Sequence, residues 1–200
     1  MTKHDDFIKT HQHLLDAVLA LMQSTPAAKI SVTQVVKYCQ VNRSTFYLHF
    51  IDLPTALNEL EATLIGAIKI CFDNVPPDWM LRFDRKQELS FYQGILQTIA
   101  QNYRGYQVLL GKNGDPNFLI KMKDELSKYL APELTVNHTV KPEIRLALRQ
   151  LIISGLVDAI LLWVQTRPQL TIDEMAELLL YSRHNAPLEM VKQGFELDRN

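Results

Sequence analysis

The sequence predicts an all-α protein of about nine helices, from three observations. The chain has 200 residues, is 47% hydrophobic and holds only seven glycines. That hydrophobic share is ordinary for a globular chain and far too high for a disordered one. Leu, Ile, Ala, Gln and Glu dominate while Val/Ile/Thr alternation is thin, which favours helices over a sheet. Apolar residues recur at three- and four-residue spacing between breaks marked by Pro, Gly and Asn.

A first helix is expected from a cap at Asp5 or Asp6 to about Ser24, with Phe7, His11, Leu14, Leu15, Val18, Leu21 and Met22 as its stripe. Residues 25–29 read as a loop, since Pro26 biases Thr25 away from the helical region. Ser31 is a good N-cap, and Gln34 three residues later completes a capping box. Val32, Val35 and Val36 then give a short helix one apolar face. The pattern breaks at Cys39-Gln40-Val41-Asn42, and Asn42 can cap a second short helix through His49.

That second helix has an unusual composition. Its first turn is Asn42, Arg43, Ser44 and Thr45, short or hydrogen-bonding throughout, and its second carries Phe46, Tyr47, His49 and Phe50. A helix made only for solubility would carry more Glu and Lys there. A helix entering a DNA major groove needs donors at its N-terminus for base edges and phosphate contacts nearby to fix its register. Asn and Arg can bond bidentately to adenine or guanine. Tyr and His can reach phosphate oxygens, and a helix N-terminus favours an anion. Phe46 and Phe50 are assigned to a small core.

Ile30-Ser31-Val32-Thr33, Val35-Val36 and the run Val41-Asn42-Arg43-Ser44-Thr45-Phe46-Tyr47-Leu48-His49-Phe50 resemble the helix-turn-helix of the TetR family of transcriptional regulators. The Phe-Tyr-x-His-Phe part is the most specific. The resemblance implies a first helix that buttresses the reading helix. It also implies a lysine near position 53 that contacts a phosphate, where this chain has Leu53. Lys37 or the N-terminal lysines would have to compensate.

Asp52 can cap a long helix from Leu53 or Pro54 to about Asn74, because a first-turn proline loses no intrahelical bond. Val75-Pro76-Pro77-Asp78 breaks it, and the loop after it carries Trp79 and Phe83. Further helices read from about Lys86 to Asn102, around Tyr103 to Leu110, and from Asn117 to Leu130. The loop at 111–116 has two glycines but lacks the Lys-Ser/Thr of a phosphate cradle. A loop at 131–142 leads to the most apolar segment, Glu143 to Gln165. Its run 151–164 is too short to span a bilayer, which needs about 20 residues, and Asp158 sits within it. It therefore reads as a buried helix, in which Gly155 and Ala159 would let another helix approach closely. Pro168 ends it, and Thr171 with Glu174 caps a last main helix, followed by a polar tail after Ala186-Pro187. Residues 109–118, 153–156 and 162–164 resemble the C-terminal domain of a TetR branch found mainly in Gram-positive bacteria. That branch includes proteins similar to the activator of dihydroxyacetone kinase operons.

The net charge is −1, and the first 53 residues hold five Lys and Arg against four Asp, with four of the six histidines. Such a head is only mildly basic, though phosphate neutralisation drives much of DNA affinity. The two cysteines form no disulfide framework and the N-terminus is polar and acidic, which points to a reducing cytosol. Neither HExxH nor GxSxG occurs, and His11 and His13 fall on different faces of a helix. Glu59 and Glu61 read as solvated surface. No metal, cofactor or enzyme activity is expected.

Together these readings predict a cytoplasmic homodimer on double-stranded DNA. Residues 1–53 form a DNA-binding head running into a long helix to about 68, and 54–200 a ligand-binding and dimerisation domain. Asn42, Arg43 and Ser44 read bases; Thr33, Thr45, Tyr47 and His49 hold phosphates. Glu143 to Gln165 and Thr171 to Arg183 pair with their copies across a dyad. The resemblance implies a small-molecule effector, for which Tyr92, Tyr103, Tyr106, Phe118, Met122 and Trp163 are the candidate lining. The competing expectation is a helical co-activator that works through a protein partner.

Overall fold

The computed structural model describes residues 3–73, 75, 84–129, 141–166 and 170–185. Among these residues it contains nine α-helices, one 3-10 turn and no strand. Asn74, the Pro76-Pro77 break, Trp79, Phe83, Leu130, Pro168 and the tail after Ala186 lie outside the described residues. The chain divides into two compact units, Met1–Gly66 with Arg104–Leu119, and Ala67–Tyr103 with Ile120–Asn200.

The first unit begins with α1, Lys3–Met22, whose buried stripe is Leu14, Leu15, Ala17, Val18 and Met22. It starts ahead of the expected caps. Asp5 and Asp6 lie in its first turn instead, where the helix dipole favours acids. After the 3-10 turn Ala27–Lys29 come α2, Val32–Cys39, and α3, Arg43–His49. The next helix, α4, covers Leu53–Ile70. Asp52 caps it, accepting from the Thr55 N–H at 2.8 Å and its hydroxyl at 2.6 Å, and these bonds hold the Asp52 carboxyl below its ordinary pKa. Phe46 and Phe50 are buried in the small core, as expected. Glu61 departs from expectation. It is 1% exposed rather than solvated, while Glu59 pairs with His11 Nε2 at 2.5 Å.

The same unit includes α6, Tyr103–Leu109, from Arg104 onward, and the start of α7, Pro116–Ser127. The Tyr106 hydroxyl donates to the Leu64 carbonyl at 2.7 Å. The loop between α6 and α7 is tied to the end of α1. The Ala27 N–H donates to the Asn113 carbonyl at 2.8 Å, and Asn113 Nδ2 to the Gln23 carbonyl at 3.1 Å. A Cβ on Gly114 would lie 1.9 Å from the Leu109 carbonyl oxygen, so only glycine fits there.

The second unit is built on α5, Arg85–Gln101, packed with α9, Ile172–His184. Asp84 caps α5, accepting from the Gln87 N–H at 3.1 Å. Thr171 and Glu174 form the expected capping box on α9. At the α5–α9 seam Glu88 is buried, yet it accepts from Arg183 Nη1 at 2.7 Å and lies 2.9 Å from His184 Nε2. Such a buried acid needs its partners, because desolvation of a lone carboxylate costs several kcal/mol.

The remaining long helix, α8, covers Pro142–Gln165. The length argument made from 151–164 therefore fails: the helix has 24 residues, and by length and composition alone it could cross a membrane. A helix of a protein core passes the same test. Asp158 in its middle pairs with Lys123 at 2.7 Å, and Arg149 donates to the Ser127 carbonyl. The expectation of near-complete burial also changes. Ile153, Leu156, Val157, Ile160, Trp163 and Val164 are buried, whereas Ile144, Leu146, Leu148, Leu151 and Leu162 are exposed.

Candidate nucleic-acid interface

The site is the α2–turn–α3 segment, and each part has a local cause. Ser31 starts α2: its hydroxyl accepts from the Gln34 N–H at 3.3 Å, while its own N–H donates to Gln34 Oε1 at 2.8 Å. Val35, Val36 and Cys39 face inward and leave Thr33, Lys37 and Tyr38 exposed. The helix ends on Gln40, which takes the left-handed conformation, φ 56° and ψ 37°. The Gln40 N–H then reaches the Lys37 carbonyl at 3.3 Å and the Val41 N–H the Val36 carbonyl at 3.0 Å. This Schellman closure satisfies the last carbonyls and turns the chain into α3.

Asn42 occupies the N-cap position of α3 with extended backbone, as expected, but its side chain makes no capping bond. Asn42, Arg43 and Ser44 are all exposed, and Thr45 is half-buried. Phe46 anchors the helix from below at 0% exposure. Arg43 Nη2 donates to the Tyr47 hydroxyl at 3.1 Å, and its guanidinium lies 5.7 Å from the Tyr47 ring centroid. The residues expected to read a base and to hold a phosphate are thus coupled across one helical turn.

His49 is placed differently from the others. Its ring lies 4.1 Å from that of Phe7 and 5.4 Å from that of His11, and its Nδ1 is buried with no hydrogen-bond partner. Burial, and then the neighbouring His11, push its imidazole below the usual value, so it is neutral at pH 7. It carries no charge to offer a phosphate there. Leu53, which stands where the resemblance places a lysine, is half-buried. The structure thus gathers Asn42, Arg43, Ser44 and Tyr47 on the open side of α3, puts Thr33 on the surface of α2, and turns His49 inward.

The six residues considered for an effector do not converge. Tyr92 and Met122 line one cavity in the second unit, with Phe72, Phe91, Ile95 and Leu156 among the other walls. Its volume is about 30 Å³, room for only a few water molecules, and its lining is apolar. Burial pushes the Tyr92 phenol well up, so it stays a neutral donor, directed at Glu88 at 3.4 Å. Tyr103 donates instead to the Val164 carbonyl at 2.7 Å, and Trp163 Nε1 to the Leu170 carbonyl at 3.1 Å. Tyr106 and Phe118 belong to the core of the first unit.

Comparison with known proteins adds a family. Residues 87–184 match the family TetR_C_8, described as the transcriptional regulator C-terminal region. No curated protein matches the chain significantly. Among solved structures, the chain is similar to a TetR transcriptional regulator from Streptococcus agalactiae 2603V. The two share 24% identity at a TM-score of 0.66, over 90% of this chain and 96% of that one. It is also similar to a TetR-family regulator from Syntrophomonas wolfei, at 18% identity and TM-score 0.63, over 96% and 98% of the two chains. A third, from Streptomyces coelicolor, gives 18% identity and TM-score 0.56 over 98% and 85%. These likenesses establish the fold over nearly the whole chain, and the family match covers the region C-terminal to the helix-turn-helix. Residues 87–184 thus match a transcriptional-regulator C-terminal region, and nearly the whole chain has the fold of TetR-family regulators.

Proposed function

We propose that the chain is a homodimeric repressor that binds a palindromic operator through paired copies of α3 and responds to a small-molecule effector. The observation that supports this most is the open side of α3. Four side chains able to bond bases or phosphates stand together there in solvent, over a helix anchored by Phe46. In this reading residues 1–53 are the DNA-binding head. Asn42, Arg43 and Ser44 read base edges, Thr33, Thr45 and Tyr47 position the backbone, and His49 assists as a neutral donor. Residues 54–200 dimerise and bind the effector, with Tyr92 and Met122 as the first residues it would meet. The cavity's present size means that an effector must part the helices around it.

A dimer accounts for the apolar surface of α8. Ile144, Leu148, Leu151 and Leu162 recur at helical spacing with Gly155 on one exposed side, and a Cβ at Gly155 would meet nothing. A second copy would cover that side, and the flank of α9 from Thr171 to Arg183 would extend the contact. Binding of the chain to its own upstream DNA, followed by gel shift across a salt series, tests the reading. Affinity should fall steeply with salt, and half-sites should lie about one helical turn or a multiple apart. Arg43→Ala should weaken binding by about 1–3 kcal/mol and relax preference at one base pair. Binding with no salt dependence, or unchanged preference in Arg43→Ala, would refute it.

A further inference from the structure

Leu48 is 74% exposed, on the seven-residue helix whose other solvent-facing side chains are Arg43, Ser44 and Tyr47. Nothing in its own head covers it. Leu48 lies one turn after Ser44 on the same side of α3, beside the coupled Arg43–Tyr47 pair. Arg43 and Ser44 offer hydrogen bonds; Leu48 offers none and cannot hold a phosphate. The major groove presents one apolar group, the C5-methyl of thymine. From this juxtaposition we infer that Leu48 is a specificity-determining residue, packing on the methyl group of a thymine one or two base pairs beyond the base that Ser44 faces. The four-residue step along α3 is about 6 Å, against about 3.4 Å per base step, which sets that spacing.

The inference rests on α3 being the base-reading helix, and its test keeps the two ideas apart. The probe is a duplex enriched by the wild-type protein from a randomised pool, with each thymine replaced in turn by deoxyuridine, which lacks only the methyl. Wild type should lose about fourfold at one thymine per half-site, the factor one methyl group is worth on leaving water. Leu48→Ala should bind the thymine duplex more weakly by a similar factor and show no further loss with deoxyuridine there. Leu48→Gln should lose the same methyl dependence. Leu48 is exposed, so both variants should keep the wild-type melting temperature. A wild type indifferent to every deoxyuridine, or a Leu48→Ala that keeps the wild-type thymine-to-deoxyuridine ratio at all positions, would overturn the inference while leaving α3 as the reading helix. Failure of the wild type to enrich any duplex would overturn both.

Discussion

The exposed side of α8 sets a measurable expectation for self-association. Leu151 is 69% exposed in the single chain and sits near the middle of the stripe running from Ile144 to Leu162. Leu151→Ala removes three methylene-sized groups, worth about 0.8 kcal/mol each when taken out of water. With about two-thirds of that surface still to be covered, the loss is about 1.6 kcal/mol per subunit. A symmetric pair uses the residue twice, so the dimer should weaken by about 3 kcal/mol, roughly 100- to 300-fold in dissociation constant. Sedimentation equilibrium over a concentration series reads this directly. Ile120→Ala is the control: Ile120 is 58% exposed but belongs to α7 rather than to the stripe itself, and its loss should leave the dimer unchanged. If Leu151→Ala and Ile120→Ala associate alike, α8 does not form the interface.

Three further outcomes follow from packing and titration. Gly114→Ala must shift backbone, because its Cβ would sit 1.9 Å from the Leu109 carbonyl oxygen, and chemical denaturation should show a loss of about 3 kcal/mol. Glu88→Gln removes the buried charge that Arg183 meets at 2.7 Å, and should cost about 3–5 kcal/mol, read as a lower denaturation midpoint with an unchanged slope. His49 has a folded pKa below its unfolded value, so the unfolded chain binds more protons near pH 6. Its contribution is present above about pH 6.5 and is lost as pH falls below it. His11, 5.4 Å away and itself paired with Glu59, is the titratable ring facing it. The melting temperature should therefore drop on acidification, and His49→Gln should flatten the drop; parallel pH profiles for the two proteins would contradict the assignment.

The local features were the most legible in the sequence. The capping boxes at Ser31–Gln34 and Thr171–Glu174, the Asp52 cap and the inward Phe46 and Phe50 depend on spacings of a few residues. The exposed Asn42, Arg43 and Ser44 follow from the same local pattern. What stayed hidden depends on distant partners. Nothing local marks Glu88 for burial, because Arg183 and His184 lie 95 and 96 residues further on. His49 read as a phosphate contact because the rings that pack on it, Phe7 and His11, come from another helix. The left-handed Gln40 was hidden for another reason: the position itself carries neither the glycine nor the asparagine that usually signals that conformation. Buried and exposed sides of α8 could not be separated either, since it is apolar nearly all round.

The loop after α6 has the outward marks of a place that tolerates change: Gly111 to Asp115 are polar or glycine throughout. Surface connections of that kind ordinarily accept insertions, tags and new chain ends. This one is stitched through Asn113 to Gln23 and Ala27, in the segment that follows α1, and Gly114 leaves no room for a side chain. Peptide tags or circularly permuted termini placed between Gly111 and Asp115 should therefore cripple folding, although nothing in the hydropathy of the loop would warn an engineer away.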